Sequence, residues 1–512
     1  MLRHMKKIPV ILCICSMACG FTATSQEIHS HSPPEKLGTV SFPTSCAPRV
    51  AHDFERSVAL LHSFAYGAAE QSFRKVAAAD PNCAMARWGV AMSYYHQLWS
   101  PPGPKDLRDG QTAIDEAVHL KVRSQRERQF IAAAAAYYKD SDNLPPQARA
   151  NAYSQAMSDL ARSNPKDTEV QVFYALSLIA IAPPEDGTHA NQKRAAAILE
   201  PVYRRQPDHP GAVHYLIHAY DSTELARQGL AAARAYSKIA PSAPHALHMP
   251  SHIFTRLGLW DDSIASNLAA RAAAHIQDDQ GEELHAMDYL TYAYLQRGRI
   301  SDAARVVGEL SGMGAVAAPE SDFKIGYAAT AMPVRLAMER HAWSEAVELQ
   351  PIPGSAPHVA AILFWARAVA EARAGHPQLA SGDIAKIEAC REQLKAAGNA
   401  YWAGQVELLH KEAKAWQLAA TGNVAASAEL LRAAADDEDA VEKLPVTPGP
   451  VVPAREQLGE LLLEQGRAKE ALREFQTALT AAPGRRGALN GGAKAADLIG
   501  DTGTANQLRS KL

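Results

Sequence analysis

"PAREQLGELLLEQGRAKEALREFQTALTAAP", Pro453 to Pro483, is the stretch that decides the fold. Its apolar residues return at helical spacing in two segments, Leu458 to Leu462 and Ala471 to Ala478, the mark of helices buried along one side. Gly466 ends the first helix and Pro483 stops the second. Gly459, Ala471 and Ala478 are small, so two antiparallel helices approach closely, and Phe475 fills the gap between them.

Weaker copies of this skeleton recur along the chain. "GAAEQSFRKVAAADP" carries Ala69, Phe73 and Pro81, and "RLGLWDDSIASNLAARA" carries Gly258, Trp260, Ser263 and Ala270. Gly298 with Ala303, Trp343 with Ala346, and Gly500 with Ala505 repeat the turn again. On these residues the chain resembles the tetratricopeptide repeat (TPR) family, strongly at the last full repeat and in degenerate form elsewhere. The resemblance implies an all-α fold, a right-handed α-solenoid of antiparallel helical hairpins over residues 49–512. It also implies a concave groove, lined by the first helix of each hairpin, in which ligands bind. Proline-rich breaks at 100–104, 351–357 and 444–453 are expected as solvent loops. The last is long and stiff enough to lie across a groove.

Composition agrees with helices. The chain has 512 residues and 47% apolar content, much of it alanine in runs such as "AAAAAYY", and alanine favours helix over strand. A net charge of −3, with no dense basic patch, excludes a nucleic-acid footprint. Arg3, Lys6 and Lys7 precede a short apolar run, Ile8 to Ala18, and then small residues. That pattern predicts a signal peptide over 1–25 and an exported chain, periplasmic or secreted. The aliphatic residue expected in a lipoprotein box is missing before Ala18-Cys19, which argues against a lipid anchor. Residues 26–48 read as a flexible leader, and no other run is long enough to make a transmembrane segment. Outside the signal the cysteines are Cys46, Cys83 and Cys390. In an oxidising compartment Cys46 and Cys83 would pair; three separate buried thiols is the alternative.

Histidine is concentrated in the middle of the repeats. "HYLIHAYD" holds His214, His218 and Asp221; "PHALHMPSHIF" holds His245, His248 and His252. His285, Asp288 and Tyr292 follow in the next hairpin. Within each group the spacings put the residues on one stripe of a first helix. With Gly258 and Gly298 as inter-helix turns, three successive first helices aim His and Asp into the groove. Helices 8–10 Å apart bring such imidazoles within reach of a shared ion (order of magnitude). The metal candidates are therefore His214, His218, Asp221, His245, His248, His252, His285 and Asp288. A transition metal ion (Zn, Cu or Fe) suits neutral imidazole. The aspartates fit either as ligands or as groups orienting the histidines. Arg256 is placed to clamp an anionic ligand, and Tyr292 lies beside it in the groove. Tyr215 stands where a zincin would carry its glutamate, which removes the metalloprotease reading. His209 and His275 read as structural or exposed, His189 as a turn residue, and His29 and His31 as leader residues. His62 and His96 read as core or surface residues, with Trp99 beside them, and Glu456 and Glu460 as a solvated face.

Two functions remain in competition. One is an exported solenoid holding a metal in its groove and binding, with or without transforming, a small molecule there. The other is a cell-envelope scaffold whose groove takes a peptide or protein partner without metal.

Overall fold

The computed structural model describes residues 35–98, 101–317 and 323–512. The expected signal peptide and the leader up to residue 34 lie outside the described residues, as does Trp99. From Lys36 onward, helices follow one another as antiparallel pairs, each packed on its neighbours in the chain. Among the described residues there is no strand. No helix among them is long and apolar enough to cross a membrane. The chain is thus an all-α, TPR-like stack of hairpins.

The deciding stretch folds as read. Its helices are Ala454–Glu464 and Ala468–Ala481, and Gly466 turns between them at φ +74°. A Cβ on Gly459 would lie 2.7 Å from the Phe475 ring, and one on Gly491 only 2.3 Å away. The phenyl ring therefore sets how closely three consecutive helices approach. Glu456 is not solvated, as the helix pattern alone suggested. It is buried and accepts two hydrogen bonds from Arg485, at 2.8 and 3.0 Å. The next hairpin closes over that side of its helix, and a buried carboxylate requires such a partner.

Three hairpins carry the histidines. Their first helices are Pro210–Ala219, the pair of short pieces Pro244–His248 and Pro250–Arg256, and Gln280–Gln296. Their second helices are Ala226–Ile239, Trp260–Ile276 and Ile300–Gly308. Pro250 lacks an N–H and interrupts the middle first helix. Met249 nevertheless keeps helical dihedrals (φ −51°, ψ −36°), so the path continues and the histidine stripe survives.

Two features bend the array back on itself. Gly258 turns at φ +68°, and a Cβ there would meet the Pro483 carbonyl oxygen at 2.1 Å. Beside it, Trp260 donates from Nε1 to the Gly484 carbonyl at 3.0 Å. The C-terminal hairpins thus touch the middle ones. The second feature is the proline-rich segment 441–453, which is not a solvent loop. Arg335 donates to the Pro450 carbonyl at 2.7 Å and the Gly449 carbonyl at 3.3 Å. Tyr289 donates to the Thr447 carbonyl at 3.1 Å, and the Glu442 amide donates to the Pro184 carbonyl at 3.0 Å. Prolines cannot donate, so this strap is held by side chains reaching its carbonyls.

Residues 36–48, expected as part of a flexible leader, pack rather than flex. Leu37, Val40 and Phe42 are buried. Arg126 stacks 4.3 Å above Phe42, and the Thr39 amide donates to the Asp208 carbonyl at 2.9 Å. Ser45 is tied to Glu127 through both its amide and its hydroxyl. A disulfide joins Cys46 to Cys83, with Cα atoms 4.7 Å apart, while Cys390 is a free, buried thiol.

The disulfide spans 37 residues of sequence, a loop whose closure stabilises the fold by about 4 kcal/mol on chain entropy. A Cys46→Ser/Cys83→Ser variant is expected to lose roughly 2–4 kcal/mol in urea denaturation. The wild type should lose the same amount in reductant, and the variant nothing further. Equal midpoints for oxidised and reduced wild type would show that the bond does not constrain the chain.

Candidate metal centre

The six histidines do come together, but as two triads rather than one cluster, and in the core rather than on an open groove. His214, His218 and His245 form one group, and His248, His252 and His285 the other. Within each, one ring nitrogen per residue lies within 4.8 Å of the other two. All six rings are buried. The stripe on the middle helix is divided, His245 grouping with His214 and His218 of the preceding hairpin, and His248 and His252 with His285 of the following one. His214 and His245 ring centres are 5.1 Å apart, and His248 and His285 are 4.3 Å apart. Between triads, His218 and His252 stand 6.0 Å apart, as do His245 and His248.

Hydrogen bonding decides which nitrogen points inward in four of the rings, those of His214, His245, His248 and His252. His248 Nδ1 lies 2.6 Å from Asn267 Oδ1. The amide of Asn267 is oriented by its own Nδ2, which donates to the Ser263 carbonyl at 2.8 Å. Asn267 Oδ1 therefore accepts, and His248 Nδ1 carries the proton. His252 Nδ1 donates to Asp221 Oδ2 at 2.9 Å. A neutral imidazole has only one N–H, so both Nε2 atoms carry lone pairs. These two Nε2 atoms face each other at 3.0 Å. Two acceptors at that distance repel unless a cation lies between them. In the first triad only one of the two facing rings is fixed in this way: His214 Nδ1 donates to the His62 carbonyl at 2.6 Å, which leaves its Nε2 lone pair 3.1 Å from His218 Nε2. His245 Nδ1 donates to Glu282 Oε2 at 3.1 Å, and Lys324 holds the other oxygen of that carboxylate at 2.5 Å. Two nitrogens on a tetrahedral zinc ion would be about 3.3 Å apart, so the observed spacings match an ion's coordination edge.

Burial keeps five of these rings, those of His214, His218, His248, His252 and His285, neutral. It pushes His214, His218, His248 and His285 well below the ordinary histidine value, with neighbouring imidazoles adding to the effect. For His252, burial outweighs the upward pull of Asp221 and leaves the ring at about 4. Protonation, the cheap way to relieve facing lone pairs, is thereby disfavoured, while neutral imidazole is the form that binds metal.

The other candidates take supporting positions. Asp221 belongs to neither triad; it orients His252 and receives Arg256 at 2.9 Å and Lys443 at 3.3 Å. Burial alone would raise its carboxyl, but Lys443, Arg256 and His252 hold it well below the usual range. Asp288 also stands outside the triads, one helical turn beyond His285 and 3.7 Å from Arg335 Nε. Burial pushes it up to about 6, against the opposing pull of Arg335. Arg256 is spent on Asp221 and on Glu442 of the strap, at 2.9 Å each. Tyr292 packs edge-on to Trp260 at 5.5 Å, with the Arg335 guanidinium 4.8 Å from its ring. Arg256 and Tyr292 share a cavity of about 370 Å³ whose walls contain none of the six histidines.

Sequence reading missed the orienting groups Asn267, Glu282 and the His62 carbonyl, and also Tyr289, which packs perpendicular to His248 at 4.7 Å. Asn267 left a trace, because it shares a helix face with Ser263 and Ala270 and so interrupts an apolar stripe. His62 and His209 form a third buried group, in which each donates to one oxygen of Glu169, at 2.9 and 3.0 Å. Tyr215 supplies the hydrogen bond to His62 Nδ1, and the Ala212 amide donates to His209 Nδ1. Every ring nitrogen there is satisfied, so this group is structural. Cys46 and Cys83, near Asp80, have their sulfurs committed to the disulfide. His189 is buried at a left-handed turn (φ 52°), His96 stacks on Tyr66 at 4.4 Å, and His275 is exposed beside Glu283.

No protein-family profile matches the chain, and no curated protein does. Among solved structures the chain is similar to Naa15/Naa10 bound to HypK-THB, at 11% identity and a TM-score of 0.23, over 90% of this chain. It spans only 62% of that chain's length. It is also similar to the human IFIT1 dimer with PPP-AAAA, at 11% identity and a TM-score of 0.35, over 84% of this chain and 89% of that one. The fold assignment here rests on the hairpins themselves.

The neutral core makes the metal-free protein acid-sensitive. Below about pH 6.5 the unfolded chain takes up protons that the folded imidazoles refuse, down to about pH 4 for His252. Stability therefore falls as pH falls through that window, by on the order of 3 kcal/mol from His252 alone. Asp221, held low in the fold, acts in the same direction at still lower pH. Chelator-treated protein should melt progressively lower between about pH 7 and pH 5, and His252→Gln should flatten the slope. A melting temperature constant across that range would refute the assignment of neutral rings.

Proposed function

We propose that this chain is a metal-binding helical solenoid that holds one transition-metal ion in each histidine triad. One observation carries the reading: His248 and His252 present lone pairs to each other at 3.0 Å while Asn267 and Asp221 hold their Nδ1 protons. Nothing in a purely structural role calls for that opposition, since reorienting either partner would turn it into an ordinary hydrogen bond. The third group, around Glu169, is the internal contrast, with every nitrogen satisfied and no ligand called for.

Donor chemistry narrows the ion. Three imidazoles without a carboxylate suit zinc or copper, whereas ferrous sites of the two-histidine type bring a carboxylate into the ligand set. Asp221 and Asp288 stand outside both triads, so zinc or copper is favoured over iron. Three protein ligands leave a fourth position open, which, where a cavity reaches it, is the arrangement of sites that bind or transform a small molecule. Bound there, the ion would act as a Lewis acid toward such a molecule. The chain's own residues hold four of the rings in one tautomer and exclude water around them.

A groove scaffold for peptides is the weaker reading. The strap Val441–Pro453 lies against Tyr289 and Arg335, where a guest would otherwise have access to the histidine-bearing helices. As to compartment, we propose an oxidising envelope space, supported by the Cys46–Cys83 disulfide and by the basic-then-apolar N-terminus.

Purified protein is expected to contain about two zinc or copper ions per chain by elemental analysis, one for each triad. His252→Ala and His214→Ala should each lose one ion, and the double variant both. Negligible metal in protein dialysed against either ion, unchanged by these substitutions, would leave a metal-free scaffold.

A further inference from the structure

The two triads differ in what lies beside them. His218 lines a cavity, and of the six histidines it is the most exposed, at 6% where the other five are at 2% or below. That cavity has a volume of about 640 Å³, the size of a small-molecule site. Its floor is His218 with Asp221, and Lys443 stands beside them. Most of its body is apolar, with Leu98, Ile179, Leu444 and Val446 among its walls. Gln97 and Gln192 are among its polar lining residues. Asp221 and Tyr289 stand between the second triad and the strap, and His248, His252 and His285 are not on the wall of this cavity.

Charge at the floor selects the ligand. Three neutral imidazoles leave the charge of a bound cation uncompensated. Lys443 and Arg256 together answer Asp221 and Glu442, so the carboxylates near the floor are already paired. With an ion in the first triad, that end of the cavity is electropositive, while Leu98, Ile179, Leu444 and Val446 give part of the wall an apolar face. Resting on the metal-binding reading above, we propose that the His214/His218/His245 triad is the reactive site. It takes a small apolar molecule, headed by a carboxylate or phenolate oxygen, from this cavity, and the His248/His252/His285 triad is closed and structural.

Cobalt(II)-loaded full-length chain tests this, with benzoate as the probe and acetate as the same head group without an apolar body. Benzoate should perturb the visible cobalt spectrum with half-saturation about tenfold below that of acetate, the ring being buried in the cavity. His218→Ala should abolish the perturbation, while His252→Ala, which removes the closed site, should keep it. Ala182→Trp fills the cavity from a half-exposed position remote from the ligands. It should weaken benzoate about tenfold while leaving cobalt content and acetate binding unchanged, and Ala182→Ser should behave as wild type. Failure to take up cobalt at all would overturn the metal reading and this inference together. Two cobalt ions with no benzoate response, equal responses to benzoate and acetate, or a response lost with His252 instead of His218 would overturn this inference alone.

Discussion

At the centre of the molecule two imidazole nitrogens, each bearing a lone pair, are pressed to within hydrogen-bond distance of each other. They are held there because the opposite nitrogen of each ring is committed elsewhere, His248 to Asn267 and His252 to Asp221. That double commitment removes the tautomeric freedom by which buried histidines usually settle their contacts. Burial then removes the other escape, protonation. What remains is an opposition that the proposed cation would relieve, and the surrounding structure holds it in place. Asp221 orients a ring, pairs with Arg256, and through Lys443 fastens the strap that closes the region.

Helical hairpins suit such a site because they bring the same face of successive first helices side by side. Alanine and glycine at the contacts allow close approach, and Phe475 shows how tightly that spacing is set. A histidine pair four residues apart on one helix then meets a third from the next. The cost of burying six polar rings is offset by anchors such as Asn267, Glu282 and the His62 carbonyl, each satisfying one nitrogen. The group around Glu169, built from the same residue types, has no nitrogen left over. Residue type is thus a poor guide to function here, and hydrogen-bond completion a good one.

Much of this was legible in the chain. Turn glycines at Gly258, Gly298 and Gly466 phase the helices, and phase assigns His214, His218, His245, His248, His252 and His285 to inward faces. The same reasoning could not divide them into two triads, because periodicity gives a direction around a helix axis and not which neighbouring helix a ring will meet. It placed Asp221, Asp288, Arg256 and Tyr292 in the groove but not in their roles. Those depend on Lys443, Glu442 and Arg335, which arrive from distant parts of the chain. The leader was read as flexible beyond Lys36 because an extended segment has no period to betray it. Val40 and Phe42 are ordinary residues until a slot exists to receive them.

By itself, then, the order of residues determined the secondary structure, the hairpin unit and the inward edge of each helix. These follow from local propensity and from spacing at 3.6 residues per turn. Tertiary structure alone decided that the groove is filled, that its histidines are enclosed, and that one triad meets the cavity beside Lys443 while the other does not. Those outcomes depend on segments more than 150 residues apart in sequence, such as Tyr289 with the strap and Gly258 with Pro483. Contacts of that range arise from how accumulated rotations bring the stack back upon itself, a sum over many hairpins that no single stretch encodes.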